Sequence, residues 1–304
     1  MPNLAFAFIC LCWGTSFILM ERATHAYGPA AIGFWRMTSG AITLSLYCIV
    51  KRQWLRLSAR DWKNLVIVAL LCNSYPYVVQ PYVMRTAGEH GFIGMLVTLV
   101  PIATIAAVAL MLRQWPTPRQ WIGVLGGLVC AALIVLDGQN RGMAPWLLAL
   151  ALSSPISYAL GNTYLKWKLN DFPAAPLTTV FLALGALLVM PFEFIPPLRD
   201  AMQLSGPAAP HDVTLATSAL VTLGIGSTGV AIMMFVYLVQ TQGPLFAGMV
   251  TYVVPMIALV WGQYDAERLT ARQLTAIAGV LAMVALVQWR AAKPVVEATP
   301  EPLG

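Results

Sequence analysis

The chain has 304 residues, 59% of them hydrophobic and 10% charged, with a net charge of +6 and a mean hydropathy of +0.74. Soluble proteins carry roughly a quarter of their residues as charges, so this composition cannot clothe a water-facing surface. It reads as an all-α integral membrane protein, and its basic residues, gathered at helix ends and in loops, do not point to nucleic acid.

Apolar runs long enough to cross a hydrocarbon core of about 30 Å predict ten transmembrane helices, at about 3–20, 29–50, 63–84, 91–112, 119–136, 144–166, 174–195, 215–240, 245–264 and 271–289. The first run has no Lys or Arg before it and flows into WGTSF, so it is expected to be a true span, not a cleaved signal peptide. Trp13 and Ser16 of this stretch are candidate substrate contacts. Span 2 carries Arg36, the one charge well inside a span. Two roles stand open for it: attracting a substrate carboxylate, or snorkelling and bonding to backbone carbonyls of neighbouring helices.

In span 3, Asn73, Tyr77, Gln80 and Met84 share one helical face, with Tyr82 nearby, and Pro76 and Pro81 can leave carbonyls unpaired toward a cavity. Span 4 contributes Thr98 and Pro101. Span 6 offers a stripe of Ser154, Ser157, Tyr158, Gly161 and Asn162. Span 8 offers Thr222, Gly226, Gly229, Met233 and Tyr237, and span 9 offers Gly248, Thr251, Tyr252 and Pro255. Polar groups cannot face lipid cheaply, so these faces point into the bundle, either to line a cavity or to hold helices together. Trp115, Trp121, Trp146 and Trp167 lie near span ends as interfacial anchors. GIGSTG at 224–229 fits a dinucleotide fingerprint in letters only, because it lies inside a span and lacks the strand–turn–helix context. Its glycines suit close packing or local unwinding.

Ionisable groups are placed tellingly. Every Asp and Glu falls at a span end, in a loop or in the tail, and His25, His90 and His211 fall in loops. Proton-driven transporters commonly keep such a group inside the membrane, so facilitated movement is expected. No metal-ligand cluster or nucleophile–base pair is evident, so no enzyme activity, metal or cofactor is expected. The five cysteines all lie in apolar runs and read as packing residues without disulfides. Eleven Lys and Arg residues on the side of the termini, against six on the other, place both termini in the cytoplasm.

The chain also repeats itself. FIGMLVTLVP at 92–101 and FAGMVTYVVP at 246–255 match at five of ten positions, and TPRQWIGVLGGLVCAAL at 117–133 aligns with TARQLTAIAGVLAMVAL at 270–286. Spans 4 and 5 thus correspond to spans 9 and 10. A five-plus-five duplication must invert the second copy, giving repeats at 1–140 and 141–290 with a disordered tail at 291–304. Inverted repeats mark secondary transporters with a site between the copies. Pro101 and Pro255, at matched depth, read as hinges.

CWGTSF at 12–17, the arginine of FWRMTSGA at 34–41, the two central prolines and DAERLTARQLTAIAGVLAMVAL at 265–286 together resemble the drug/metabolite transporter superfamily, in its EamA-type ten-span branch. Among these the chain is most similar to the YddG-type bacterial exporters of aromatic amino acids. The resemblance implies a ten-helix basket in a bacterial inner membrane, exporting aromatic and other neutral amino acids by alternating access; a monomer is expected. Glu267 fits the family's acidic position before the last span, whereas its first-half counterpart is Gln114. Export of other small metabolites or drugs is the second expectation, and a non-transporting membrane protein the third.

Overall fold

The computed structural model describes residues 2–87, 94, 96–113, 115, 117–118, 121–123, 125–126, 129–130, 133, 136, 142–242, 247–248, 250–264 and 270–288. Every regular element among them is helical. We label the helices α1 (Pro2–Thr24), α2 (Pro29–Lys51), α3 (Ala59–Ala87), α4 (Val100–Leu112), α5 (Pro145–Lys168), α6 (Ala174–Phe194), the short α7 (Pro196–Ala201), α8 (Val213–Gln242), α9 (Val250–Tyr264) and α10 (Ala271–Gln288). Of these, α1, α3, α6 and α8 are each long and apolar enough to cross a membrane. Half of predicted span 5, the tail, Glu89, His90, Gln114, Asp265 and Glu267 lie outside the described residues.

Helix ends follow local chemistry. Prolines open α2, α5 and α7, where a missing N–H costs nothing. Ser58 and Asp61 form a reciprocal capping box at the start of α3. Thr270 and Gln273 exchange bonds of 3.1 Å at the start of α10, so the second copy of the repeated T-x-R-Q phrase is itself a capping box. α2 ends with Arg52 in the left-handed region (φ 54°), and the N–H groups of Arg52 and Gln53 return to Ile49 and Cys48 carbonyls, a Schellman closure.

Three interruptions shape the interior. Pro101 cannot donate to the carbonyl four residues back, which belongs to Val97. The chain tightens there into a 3₁₀ turn (Val97–Leu99), and the Val100 N–H takes up that carbonyl. Pro101 therefore opens α4 in its first turn, whereas Pro255 lies inside α9. The other two are π-segments, Leu70–Ser74 in α3 and Leu223–Val230 in α8. Each closes with a hydroxyl reaching back five residues: Ser74 Oγ to the Ala69 carbonyl at 3.1 Å, and Thr228 Oγ1 to the Leu223 carbonyl at 3.0 Å. Ser74 and Thr228 are 154 residues apart, the spacing of the two proline phrases.

Packing interleaves the halves. α2 lies along α6 and α8, α1 along α8 and α9, α5 along α3 and α4. Gly40 permits the α2–α8 approach: a Cβ there would sit 3.1 Å from the Gly224 carbonyl oxygen and the Gly229 nitrogen. Backbone atoms cannot swing aside as a side chain can. Gly40→Ala is expected to cost about 1–3 kcal/mol through overpacking, read as a lower melting temperature in detergent with helix content retained. An unchanged melting temperature would mean the two helices do not meet at this glycine.

Candidate functional site

A cavity of about 90 Å³ opens where these helices converge. At about 10–15 Å³ per water it has room for about six to nine waters, or one solute of roughly 180–270 Å³. The wall is divided chemically. Its polar part comes from Ser16 of α1, Arg36 of α2, Asn73, Tyr77 and Gln80 of α3, and Tyr158 and Asn162 of α5. Phe17, Phe181, Phe235, Val236 and Val254 belong to an apolar part, and Trp13, Thr104, Gly248 and Thr251 also line the space.

Of the polar side only Asn73 lies in a π-segment, and both π-segments are braced by neighbouring helices. Tyr75 N–H bonds five residues back to Leu70, so in the same register Pro76 should serve Leu71 and, lacking an N–H, cannot. Ser157 Oγ of α5 donates to that Leu71 carbonyl instead, at 2.7 Å. The other π-segment is held similarly by α1: Trp13 Nε1 donates to the Ser227 carbonyl at 3.0 Å, and Ser227 Oγ donates to Cys12 at 2.9 Å. Trp13 then packs against Phe235, ring centroids 4.8 Å apart. Its indole N–H is thereby committed to backbone, leaving its ring to line the cavity.

Arg36 is 4% exposed. Its Nε donates to Thr228 Oγ1 at 3.1 Å, its guanidinium carbon lies 3.6 Å over the Tyr77 ring centroid, and a terminal nitrogen is 4.0 Å from Met20 Sδ. It neither reaches an interface nor bonds to a backbone carbonyl among the described residues, and no described carboxylate pairs with it. The cation–π contact stabilises it by roughly 1–2 kcal/mol, yet most of its five N–H donors stay unused. In the same cavity, both amide atoms of Asn73 are buried without a hydrogen-bond partner of good geometry. Since buried polar groups are normally satisfied, an unpaired amide and an uncompensated cation on one cavity wall describe a place prepared for a polar, anionic group.

Ten of the residues singled out from sequence line this space: Trp13, Ser16, Arg36, Asn73, Tyr77, Gln80, Tyr158, Asn162, Gly248 and Thr251. Others lie elsewhere. Tyr82 turns to the far end of α3, where its hydroxyl donates to Gln203 at 3.3 Å. Ser154 faces a separate small recess with Gln80 and Ala151. Tyr237 is 39% exposed on the outer face of α8. The side chains of Thr98 and Tyr252 lie outside the described residues. Sequence reasoning missed Thr104, Phe181 and Phe235, and also Ser74 and Thr228, which fix the π-segments.

The comparisons with known proteins agree with this architecture. Residues 1–136 and 145–289 match the EamA-like transporter family. Similar proteins include the uncharacterized transporter YoaV of Bacillus subtilis, 22% identical over 84% of this chain and 85% of its own. An uncharacterized transporter of Archaeoglobus fulgidus is 24% identical over 90% of this chain and 94% of its own. The uncharacterized inner membrane transporter YedA of Escherichia coli is also 24% identical, over 90% and 86%. The crystal structure of a protein 16% identical superposes with a TM-score of 0.68, covering 96% of this chain and 98% of its own, which bears on fold alone.

Proposed function

The chain belongs to the EamA-like transporter family, within the drug/metabolite transporter superfamily, and from that premise we propose that it exports amino acids, aromatic and other neutral or hydrophobic ones, across a bacterial inner membrane by alternating access. The observation that supports the cargo class is the Arg36 guanidinium, without a carboxylate partner among the described residues, lining one cavity with the unpaired Asn73 amide. A carboxylate meets the guanidinium. Asn73, Asn162 and Gln80 offer neutral acceptors for an amino group, and Phe17, Phe181 and Phe235 face an apolar side chain. A dianion would call for more cations than one, and a bare cation would be repelled by Arg36. The volume suits a single amino acid.

Alternating access rests on the duplication. The matched stretches break at 137–144, beside the division proposed between 1–140 and 141–290. The hydroxyl-closed π-segments recur at the spacing of the proline phrases, each serviced by a helix of the other half. In this reading ten spans form two inverted five-helix repeats with both termini cytoplasmic, acting as a monomer. Pro101 and Pro255 are the hinges. No carboxylate or imidazole is among the described residues lining the cavity, which supports facilitated movement without obligatory proton coupling.

Counterflow in proteoliposomes tests the reading, with labelled Trp, Phe, Thr and Met and one cationic drug. Exchange of the amino acids, unchanged when the pH gradient is dissipated at fixed substrate gradient, is expected. Exchange of the drug alone would remove the cargo class, exchange of other small carboxylates alone would move it to metabolites, and loss of uptake without a pH gradient would overturn the facilitative mechanism.

A further inference from the structure

Where α1 ends, at the opposite end from the N terminus, His25 meets the segment leading into α8. His25 Nε2 lies 2.9 Å from Glu21 Oε1. An ionised carboxylate only accepts, so in the neutral imidazole the proton sits on Nε2 and the lone pair on Nδ1. That Nδ1 is buried without a hydrogen-bond partner. Its neighbour is Asp212 Oδ2 at 4.0 Å, a second electron-pair donor too distant for a hydrogen bond. His211 stacks on His25, ring centroids 4.4 Å apart, and its backbone N–H donates to the His25 carbonyl at 3.1 Å. One ligating atom from each of His25, His211 and Asp212 lies within 4.8 Å of the others.

We propose that these three side chains bind a divalent transition-metal ion, with Glu21 as the outer carboxylate that sets the His25 tautomer. The orphaned Nδ1 is the observation that points to a ligand: a buried ring nitrogen without a partner, 4.0 Å from a carboxylate oxygen. A carboxylate on the far ring nitrogen is the usual support of a metal-bound imidazole. Two imidazoles and one carboxylate suit zinc and its neighbours, while magnesium and calcium prefer all-oxygen shells. Bond lengths of about 2.0–2.2 Å require the ligands to close by on the order of 1 Å. His211 and Asp212 are exposed and can make that movement, the His211 ring leaving its stack as it turns. A fourth position remains for water. Bound there, the ion ties the end of α1 to the start of α8, the two helices already joined at Trp13 and Ser227.

Zinc titration of the purified full-length protein in detergent, in competition with a chromophoric chelator, tests this. One zinc per chain is expected. Glu21→Gln should weaken binding by about 10- to 100-fold, and His211→Ala or Asp212→Asn, at exposed positions that do not endanger folding, should weaken it further. Wild-type protein that takes up no zinc, or a His211→Ala/Asp212→Asn double variant that takes up as much as wild type, would overturn the site. The readout needs no cargo, so its failure leaves the transport reading standing, and the reverse holds too.

Discussion

Arg36→Gln is expected to raise the half-saturating cargo concentration by about 10- to 100-fold while leaving folded yield at the wild-type level. Hydrogen bonds to a charged group contribute about 1.5–3 kcal/mol each, and about 1.4 kcal/mol is a factor of ten, so losing the equivalent of one gives about that range. Glutamine keeps an N–H for Thr228 but removes the cation from beneath Tyr77. If the arginine instead served the fold, yield would collapse, because breaking a buried pair costs about 3–5 kcal/mol. Arg36 has no such pair among the described residues, so stability should hold or rise. Arg36→Lys should fall between wild type and Gln, since an ammonium keeps the charge and loses the planar fork and its stacking. Transport kinetics beside size-exclusion yield decide the matter. Reduced yield with unchanged half-saturation in the surviving protein would return Arg36 to a structural role.

Hydropathy made the helices legible, because a chain surrounded by lipid must hide its backbone in long apolar helices. The bounds of α2, α5, α6, α8 and α10 fall within about three residues of runs read from the sequence alone. The polar wall was legible for the same reason: Asn73, Tyr77 and Gln80 had nowhere to point but inward. The errors have one main source. The stripe from Thr222 to Tyr237 assumes an even helical period, yet it runs across the π-segment at Leu223–Val230. Each wider turn shifts the phase, so Thr222 and Tyr237 both emerge exposed while Phe235 turns to the cavity. The α3 stripe begins inside its π-segment and continues beyond it, so its register survives.

Other parts carry no local signal. Phe181 and Phe235 look like any residues of a membrane core until the fold sets them around one space. Pro101 was legible as a break, but the 3₁₀ turn that absorbs it follows from which neighbour claims the Val97 carbonyl. His25 and His211 read as unrelated loop histidines. Only the return of the chain from α7 into α8 brings them together. Pairings between distant loops depend on topology, and a sequence periodicity cannot encode them.

Asn73→Leu is expected to move stability and transport in opposite directions. The Asn73 amide is 1% exposed and unpaired at both atoms, and burying such a group costs about 1–3 kcal/mol. Leucine is close in shape and carries no polar atom, so the melting temperature should rise. Cargo affinity should drop by roughly tenfold, the equivalent of about one lost hydrogen bond to a charged group. Thr178→Val provides the matched control: Thr178 is fully buried with an unpaired hydroxyl but does not line the cavity. Its removal should stabilise the protein by a similar mechanism and leave transport untouched. If both variants gain stability and only Asn73→Leu loses affinity, the unpaired amide is held for the cargo. If Asn73→Leu transports normally, the amide is an incidental defect of the bundle, and the polar wall must be assigned without it.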